Sequence, residues 1–233
     1  MAFTGLGVFG LAYAVVAAIG LREPEPLRAA PVRQGFLAAS AEVFRLPGYP
    51  VMFVVFGAIS IANWVIYTWL PLYLYERFGM RLEDAGFAAT FYLQAGSLAG
   101  VALGGWLGDR RATAGTRGRW GLQAAGLALA APFLFAAGWT GSPVVLFCGM
   151  AAFGIGRGIF DANPMPALCQ IAPDHLRSTG YGLFNMIGPL MGGLVAAAAG
   201  ALKSSIGIGG TIQIASAILL TSAILLARNR QVV

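Results

Sequence analysis

Charged residues are scarce in this sequence. Asp, Glu, Lys and Arg make up 10% of its 233 residues, whereas a soluble globular protein carries about 25%. Apolar residues make up 58%, and the mean hydropathy is +0.75. Such a chain cannot cover a folded core with a polar surface. The composition therefore excludes a soluble domain and predicts a polytopic membrane protein.

Histidine and cysteine are nearly absent as well. The sequence has one histidine, His175, and two cysteines, Cys148 and Cys169, within one apolar stretch. These residues cannot supply a disulfide framework or the ligand spacing of a metal site. The sequence also lacks a nucleophile–base pair, a phosphate-binding glycine loop and a carboxylate dyad. We therefore expect neither an enzyme nor a bound cofactor or metal.

Basic residues outnumber acidic ones, 15 to 9, which gives a formal net charge of +6. A protein that binds nucleic acid carries its Lys and Arg on one face, interleaved with aromatic residues. Here the basic residues are scattered between apolar runs. They are interpreted as determinants of membrane topology, and no nucleic-acid partner is expected.

Seven apolar stretches are long enough to cross a bilayer, which takes about 20 residues as a helix. The first stretch carries no charge at its start, so it is interpreted as a retained span and not as a signal peptide. The stretches predict an all-α membrane protein with seven transmembrane helices, at about residues 2–21, 49–75, 85–107, 120–139, 143–167, 179–201 and 208–227.

The charges of the loops predict the orientation. If the segment 22–46 lies in the cytoplasm, most of the 15 basic residues fall on that side, and the other side receives only Arg77, Arg81 and Lys203. Cytoplasmic loops are enriched in Lys and Arg. We therefore expect the amino end outside and the carboxyl end in the cytoplasm, in a cell membrane such as the bacterial inner membrane.

Loop lengths divide the chain into four parts. Residues 1–21 form one helix, 22–47 a cytoplasmic linker, 48–227 a bundle of six helices and 228–233 a cytoplasmic tail. Apolar residues at helical spacing in the linker predict a short amphipathic helix in the membrane interface, and a coil is the alternative. These residues are Phe36, Leu37, Val43 and Phe44.

Glycines recur every four residues in two of the spans. The third span has Gly96, Gly100, Gly104 and Gly108, and the sixth has Gly188, Gly192, Ala196 and Gly200. Ridges of small residues let helices approach closely in lipid. Since the chain contains 33 glycines, chance spacing is the alternative.

The loop after the third span combines one carboxylate with several arginines: Gly105, Asp109, Arg110, Arg117 and Arg119. Asp109 lies at the end of one helix and near the start of another, where it can accept hydrogen bonds from helix-terminal amides or pair with an arginine. A pairing that is made in one bundle arrangement and broken in another acts as a gate. The alternative is that these arginines only retain the loop in the cytoplasm.

Two loop patterns resemble those of the major facilitator superfamily. The first is Gly105-x-x-x-Asp109-Arg110 followed by Gly115, Arg117 and Arg119, and the second runs from Pro173 to Gly182. The resemblance covers essentially the whole chain and matches the last seven of the usual twelve helices. It implies a missing amino-terminal half or a second chain as partner. It also implies a cytoplasmic gate formed by Gly105, Asp109, Arg110, Arg117, Arg119 and Arg177, with the role of each arginine left open.

Two charged residues, Arg157 and Asp161, belong to the fifth span. A guanidinium inside a bilayer is costly unless it faces water, a partner or an anion, which predicts that Arg157 contacts an anionic or hydroxyl-rich substrate. Asp161 is a candidate carrier of a coupling proton. The alternatives are an Arg157–Asp161 pair that neutralises itself one turn apart, and an Asp161 that lies in interfacial water.

Uncharged polar residues at similar depth complete the predicted substrate site. Asn63 and Tyr67 share one face of the second span, while Gln94 and Asn185 belong to the third and sixth. Amide and phenol groups bind hydroxyls by hydrogen bonds, and an aromatic ring can stack on a sugar ring. Hydrogen bonding between helices is the alternative.

Together these features predict a secondary active transporter, or its carboxy-terminal half, that moves a small polar solute across the lipid bilayer by alternating access, coupled to a proton or another cation. The segment 156–166 resembles the branch of the family that handles organic anions and sugar acids. The resemblance implies an organic anion, a sugar or a sugar acid as solute. A seven-helix receptor or sensor and a non-transporting membrane subunit are the alternatives.

Overall fold

The computed structural model describes residues 2–21, 35–111 and 116–229. The linker residues 22–34, Gly115 and the tail residues 230–233 lie outside the described part. Within that part the chain is helical and contains no strand. The helices are α1 (Ala2–Gly20), α2 (Phe36–Phe44), α3 (Tyr49–Phe78), α4 (Leu82–Arg111), α5 (Thr116–Trp139), α6 (Pro143–Asp161), α7 (Pro164–Ile171) and α8 (Asp174–Arg228).

The chain divides into two compact units, residues 1–33 and 34–233. The first unit contains α1, which is apolar along its whole length. Its large side chains are exposed, for example Phe3 at 92% and Ile19 at 81%. A helix that is apolar all round needs lipid or another protein around it.

The second unit contains α2 to α8, and its long helices correspond to the predicted spans. Six described segments are long and apolar enough to cross a membrane. They are α1, α3, α4, α5, the consecutive pair α6–α7 and the 197–228 part of α8. The all-α membrane fold is therefore confirmed. Helix α8 covers both the sixth and the seventh predicted span, so the count of seven is consistent with the structure.

Helix α8 contains a sharp reversal at Gly207, whose φ of 71° and ψ of 173° are not helical. A residue with a Cβ is strained at such a φ, but glycine is not. We call the parts on either side α8a (174–206) and α8b (208–228). Ala199 and Leu202 of α8a face the same groove as Thr211 and Ile214 of α8b. The two parts therefore lie antiparallel against each other.

The predicted glycine ridge of the third span is confirmed as the contact between α4 and α6. A Cβ on Gly96 would lie 2.1 Å from the Ala151 carbonyl oxygen, and one on Gly100 would lie 2.2 Å from that of Ile155. The backbones of the two helices are therefore in direct contact. In lipid, where the hydrophobic effect does not hold helices together, such close packing is a main source of stability.

The ridge of the sixth span packs differently. A Cβ on Gly192 would lie 2.5 Å from the Trp64 ring, and one on Gly200 would lie 3.6 Å from the Trp69 ring. These glycines accommodate aromatic side chains of α3, not another backbone. Helix α8a is thereby held against the face of α3 that carries the tryptophans.

Helix α2 is short and packs on the bundle. Val43 is fully buried, whereas Phe36 and Leu37 are 61% and 82% exposed. The Phe44 ring contacts the Tyr49 ring edge to face, with the centroids 5.3 Å apart. The helix that the linker pattern predicts is thus present from Phe36 to Phe44. Its position in the membrane interface stays a prediction.

The α4–α6 contact predicts opposite effects for two glycine-to-alanine substitutions on α4. A Cβ on Gly86 would meet nothing within 4 Å, so Gly86→Ala should stabilise the protein by up to about 1 kcal/mol through helix propensity. Gly100→Ala should destabilise it by about 1–3 kcal/mol, because the added methyl forces the two backbones apart. Thermal unfolding in detergent, followed by tryptophan fluorescence, measures both. A midpoint raised by Gly100→Ala would contradict the contact.

Candidate functional site

A cavity of about 270 Å³ opens between α3, α6, α7 and α8a. We call it the Arg157 cavity. Its walls combine charged, polar and aromatic side chains, contributed by Phe56, Ile59, Ser60, Asn63, Arg157, Asp161, Pro164 and Tyr181. The sequence-predicted residues Arg157, Asp161 and Asn63 are therefore brought together at one place.

Arg157 is the centre of the polar contacts in this cavity. Its Nε donates a hydrogen bond of 3.0 Å to Oδ2 of Asp161, and its Nη1 donates one to the hydroxyl of Tyr67. The guanidinium carbon lies 5.4 Å from the centre of the Tyr67 ring. Only 15% of the Arg157 side chain is exposed. The ion pair along α6 is thus present, and it lies in the wall of a cavity.

Asn63 belongs to the lining of the same cavity. Its Oδ1 is buried and receives no hydrogen bond from the described residues. A buried amide oxygen without a donor costs about 1–3 kcal/mol. The lining of the Arg157 cavity therefore includes a residue whose amide oxygen has no donor among the described residues.

Gln94 and Asn185 lie outside the lining of this cavity. Gln94 belongs to a separate, apolar recess on α4, next to Phe87 and Phe91. Asn185 is exposed and donates a hydrogen bond of 3.1 Å to the Tyr181 carbonyl, one turn earlier in α8a. The roles of Gln94 and Asn185 in substrate binding stay predictions.

Sequence reasoning did not assign five of the lining residues to the site: Phe56, Ile59, Ser60, Pro164 and Tyr181. Helical spacing could have predicted two of them. Ser60 and Phe56 precede Asn63 by three and seven residues, so they share its face of α3. Tyr181 precedes Asn185 by four residues on α8a. Tyr181 contributes an aromatic ring to the same lining as Ser60.

The second candidate site is a polar cluster where α4, α5 and the α6–α7 junction meet. We call it the Asp109 cluster, formed by Asp109, Arg119 and Asn163. Arg119 donates from Nη2 to Asp109 Oδ1 at 2.8 Å and from Nη1 to Asn163 Oδ1 at 3.1 Å. Asn163 donates from Nδ2 to the Gly104 carbonyl at 3.2 Å and to the Ile159 carbonyl at 2.8 Å.

Burial within this cluster is uneven. The Arg119 and Asp109 side chains are 9% and 80% exposed, and Asn163 is fully buried. Arg119 Nε is also buried, without a partner among the described residues. A charge buried to this extent depends on its few partners. Sequence reasoning missed Asn163, although an asparagine directly before a proline at the end of an apolar span is an available signal.

The other predicted gate residues have separate contacts. Arg110 lies over the Trp106 ring at 3.9 Å, and Arg117 is exposed at the start of α5. Arg177 binds the carbonyls of Cys169 and Ala172 at 3.0 and 3.1 Å, and so caps the carboxyl end of α7. A Cβ on Gly105 would meet nothing within 4 Å. The close contacts of this part of α4 with the neighbouring helices are made by Gly104 and Gly108.

The opposite end of the bundle has its own polar contacts, and we call it the Glu76 end. Lys203 of α8a pairs with Glu76 of α3 at 2.6 Å. Arg77 donates to the Thr140 carbonyl at 3.1 Å, and the Tyr73 hydroxyl donates to the Gly138 carbonyl at 3.1 Å. These bonds tie α3 to α5 and α8a. Among the described residues, no group of three His, Cys, Asp or Glu could hold a metal ion.

Residues 1–197 match the profile of the Major Facilitator Superfamily. The match extends from α1 into α8a and includes the Arg157 cavity and the Asp109 cluster. It therefore covers both candidate sites.

Two curated proteins of Escherichia coli are similar in sequence. A D-galactonate transporter is 29% identical over 176 residues, which is 73% of this chain and 40% of the relative. A probable galactarate/D-glucarate transporter is 30% identical over 146 residues, which is 58% of this chain and 30% of the relative. The matched part is thus less than half of the length of either relative.

Two solved structures show the same fold at low sequence identity. The peptide transporter POT, in complex with alafosfalin, has a TM-score of 0.69 at 20% identity, over 85% of this chain and 42% of its own. A bacterial homolog of the human lysosomal transporter Spinster, in an inward-facing and unoccupied conformation, has a TM-score of 0.58 at 18% identity, over 97% of this chain and 56% of its own.

The geometry of the Asp109 cluster predicts that Asp109 and Arg119 are energetically coupled. Asp109→Asn should destabilise the bundle because it leaves the buried Arg119 guanidinium without a carboxylate. Arg119→Gln removes that charge, so the double variant should cost less than the two single variants together. We expect a coupling free energy of about 1–3 kcal/mol, measured by unfolding in sodium dodecyl sulfate.

The matched control is the pair Arg81–Asp84, which has the same distance of 2.8 Å but side chains that are 76% and 51% exposed. Solvent screens such a pair. The cycle with Arg81→Gln and Asp84→Asn should therefore show no measurable coupling. Additive effects at Asp109 and Arg119 would show that the cluster is not coupled.

Proposed function

We propose that this chain, which belongs to the Major Facilitator Superfamily, forms one bundle of a secondary transporter that binds a hydroxyl-rich organic anion at Arg157. Family membership and the transporter relatives agree with the expectation that the chain is not an enzyme. The observation that carries the proposal is the position of Arg157, a cation inside a membrane-spanning segment, in the wall of a cavity.

The chemistry of the cavity suits a sugar acid. The carboxylate of such a solute can form charge-assisted hydrogen bonds with the Arg157 guanidinium. Its hydroxyls can donate to the Asn63 amide oxygen and exchange hydrogen bonds with Ser60 and Tyr181. Both curated relatives are named as transporters of sugar acids, which supports this solute class.

Proton coupling follows from the pair between Arg157 and Asp161. While Asp161 is ionised, it competes with the solute carboxylate for the guanidinium of Arg157. Protonation of Asp161 removes its charge and releases Arg157 to the solute. Binding of a proton and of an anionic solute would therefore favour each other, which is the thermodynamic requirement of symport.

Alternating access requires a second bundle, which we propose to be an amino-terminal half or a second chain. In this scheme the Asp109–Arg119 pair holds one arrangement of the bundle, and its breakage permits the other. Gly105, Arg110, Arg117 and Arg177 remain candidates for the same gate. Gln94 and Asn185 remain candidates for solute contacts that form in another arrangement.

The Asp109 cluster is proposed to face the cytoplasm of a bacterial cell, with the amino end outside. The excess of arginine in the loops at that end supports this orientation. The inner membrane is the proposed location, and the surrounding lipid bilayer covers the apolar faces of the helices.

Removal of the cavity cation tests solute binding. Arg157→Gln should weaken binding of D-galactonate at least about tenfold, because it removes a charge-assisted hydrogen bond. Isothermal titration calorimetry on the full chain in lipid nanodiscs measures this. Arg77→Gln, which removes an exposed arginine at the Glu76 end, is the matched control and should bind like the wild type. Equal affinity of the wild type and Arg157→Gln would refute the assignment.

The proposed coupling predicts how affinity depends on pH. Affinity for D-galactonate should rise as the pH falls from about 8 to about 5, a range in which the solute stays ionised. Asp161→Asn imitates the protonated residue, so its affinity should be high and independent of pH. A pH dependence that persists in Asp161→Asn would show that another group carries the proton.

Uptake into proteoliposomes by this chain alone would contradict the requirement for a second bundle.

Cysteine labelling tests the orientation. In a background with Cys148→Ser and Cys169→Ser, Arg111→Cys should react with an impermeant maleimide only after the cells are permeabilised. Gly141→Cys, in the exposed turn between α5 and α6, should react in intact cells. The reverse pattern would invert the proposed topology.

A further inference from the structure

The junction between α6 and α7 consists of two residues. Helix α6 ends at Asp161 and α7 begins at Pro164, so only Ala162 and Asn163 lie between them. Pro164 has no backbone N–H and therefore cannot continue the hydrogen-bond ladder of α6. The sequence therefore places a break at this point of an otherwise continuous span of 29 residues.

The two sides of this break belong to different sites. Asp161 lines the Arg157 cavity and pairs with Arg157 at 3.0 Å. Asn163, two residues later, is fully buried and forms part of the Asp109 cluster. It contacts α5 through Arg119 at 3.1 Å and α4 through the Gly104 carbonyl at 3.2 Å. Only Ala162 separates the cavity residue from the cluster residue.

We propose that Asn163 is a positioning residue that transmits a change in the Arg157–Asp161 pair to the Asp109 cluster. The inference rests on the proposed function in one respect, namely that a bound solute acts on this ion pair. Asn163 itself touches neither the solute nor the proton. It acts through Arg119, whose guanidinium it shares with Asp109.

Close packing makes this transmission effective. A Cβ on Gly104 would lie 2.7 Å from Cα of Ile159, and one on Gly108 would lie 2.4 Å from Oδ1 of Asn163. The end of α6 therefore has no room to move without moving α4 or breaking the Asn163 contacts. When the Arg157–Asp161 pair opens, the last turn of α6 shifts, and Asn163 carries that shift to the carbonyl of Gly104 and to Arg119.

A purely structural role for Asn163 would look different. To cap the end of α6, its side chain needs only the hydrogen bond to the Ile159 carbonyl in the same helix. The bonds to α4 and α5 are not required for capping. They link the break to the two helices that carry Asp109 and Arg119, which is what a coupling element requires.

The experiment measures the distance between spin labels at positions 111 and 170, the ends of α4 and α7, in the full chain with Cys148→Ser and Cys169→Ser. Both positions are exposed. No solute is added, because Asp161→Asn itself disrupts the ion pair. We expect Asp161→Asn to shift the label distance by about 2 Å. Arg157→Gln removes the other member of the ion pair and should shift the distance in the same direction.

Asn163→Ala should abolish both shifts while the label distance of the otherwise wild-type chain remains defined. Gln213→Ala, which removes an amide at the Glu76 end, is the matched control and should leave both shifts intact. If Asn163→Ala does not fold, Asn163→Ser replaces it. Shifts that persist in the Asn163 variant overturn the proposal. So does the absence of a shift with both Asp161→Asn and Arg157→Gln, whatever the stability of the Asn163 variants.

Failure of this inference is distinct from failure of the proposed function. A chain that binds no sugar acid but shows shifts that depend on Asn163 retains the coupling and loses the assigned solute. A chain that binds D-galactonate through Arg157 but shows no such shifts retains the solute site and loses the coupling role of Asn163.

Discussion

The direct contact between the backbones of α4 and α6 is the constraint on which both candidate sites depend. Gly96 and Gly100 leave so little space that a methyl group would overlap a carbonyl oxygen of α6. This contact fixes the rotation of α6 about its own axis. Arg157 and Asp161 consequently line the cavity beside α3, while Asn163 reaches the carbonyl of Gly104. A small loss of packing here would displace both sites together.

The second constraint is electrostatic. A guanidinium with little exposure to water must be compensated by a counter-charge or by hydrogen bonds. Arg157 is compensated by Asp161 and by the hydroxyl of Tyr67, and Arg119 by Asp109 and the amide of Asn163. Both sites therefore follow one design, in which an arginine with low exposure is shared between a carboxylate and a neutral partner. A carboxylate that is protonated or displaced leaves the arginine available to another anion.

The sequence alone predicts the features that depend on composition and on the spacing of a repeat. It does not predict the features that depend on how each helix is rotated about its own axis. Hydropathy predicted the spans, and a repeat of four predicted the α4 ridge. The loop signature pointed to Gly105, but the phase of α4 turns Gly104 and Gly108 toward the neighbouring helices. The prediction that Gln94 belongs to the substrate site rests on its depth in the membrane alone. Depth does not specify which face of a helix a residue occupies. Arg177 belongs to the second loop pattern, which resembles that of a gate, but its side chain caps α7 and pairs with Asp174 of α8.

The one-residue reversal at Gly207 has a mechanical consequence. Because α8a and α8b are joined without a loop, they cannot slide along each other at the Glu76 end. Any relative displacement must be a scissor-like rotation about this pivot, and its amplitude grows with distance along the helices. The far ends, near Asp174 and Arg228, therefore have the largest possible excursion. Helix α8a contacts α3 and α8b contacts α5, so such a rotation would separate these two helices most at the end that carries Asp109.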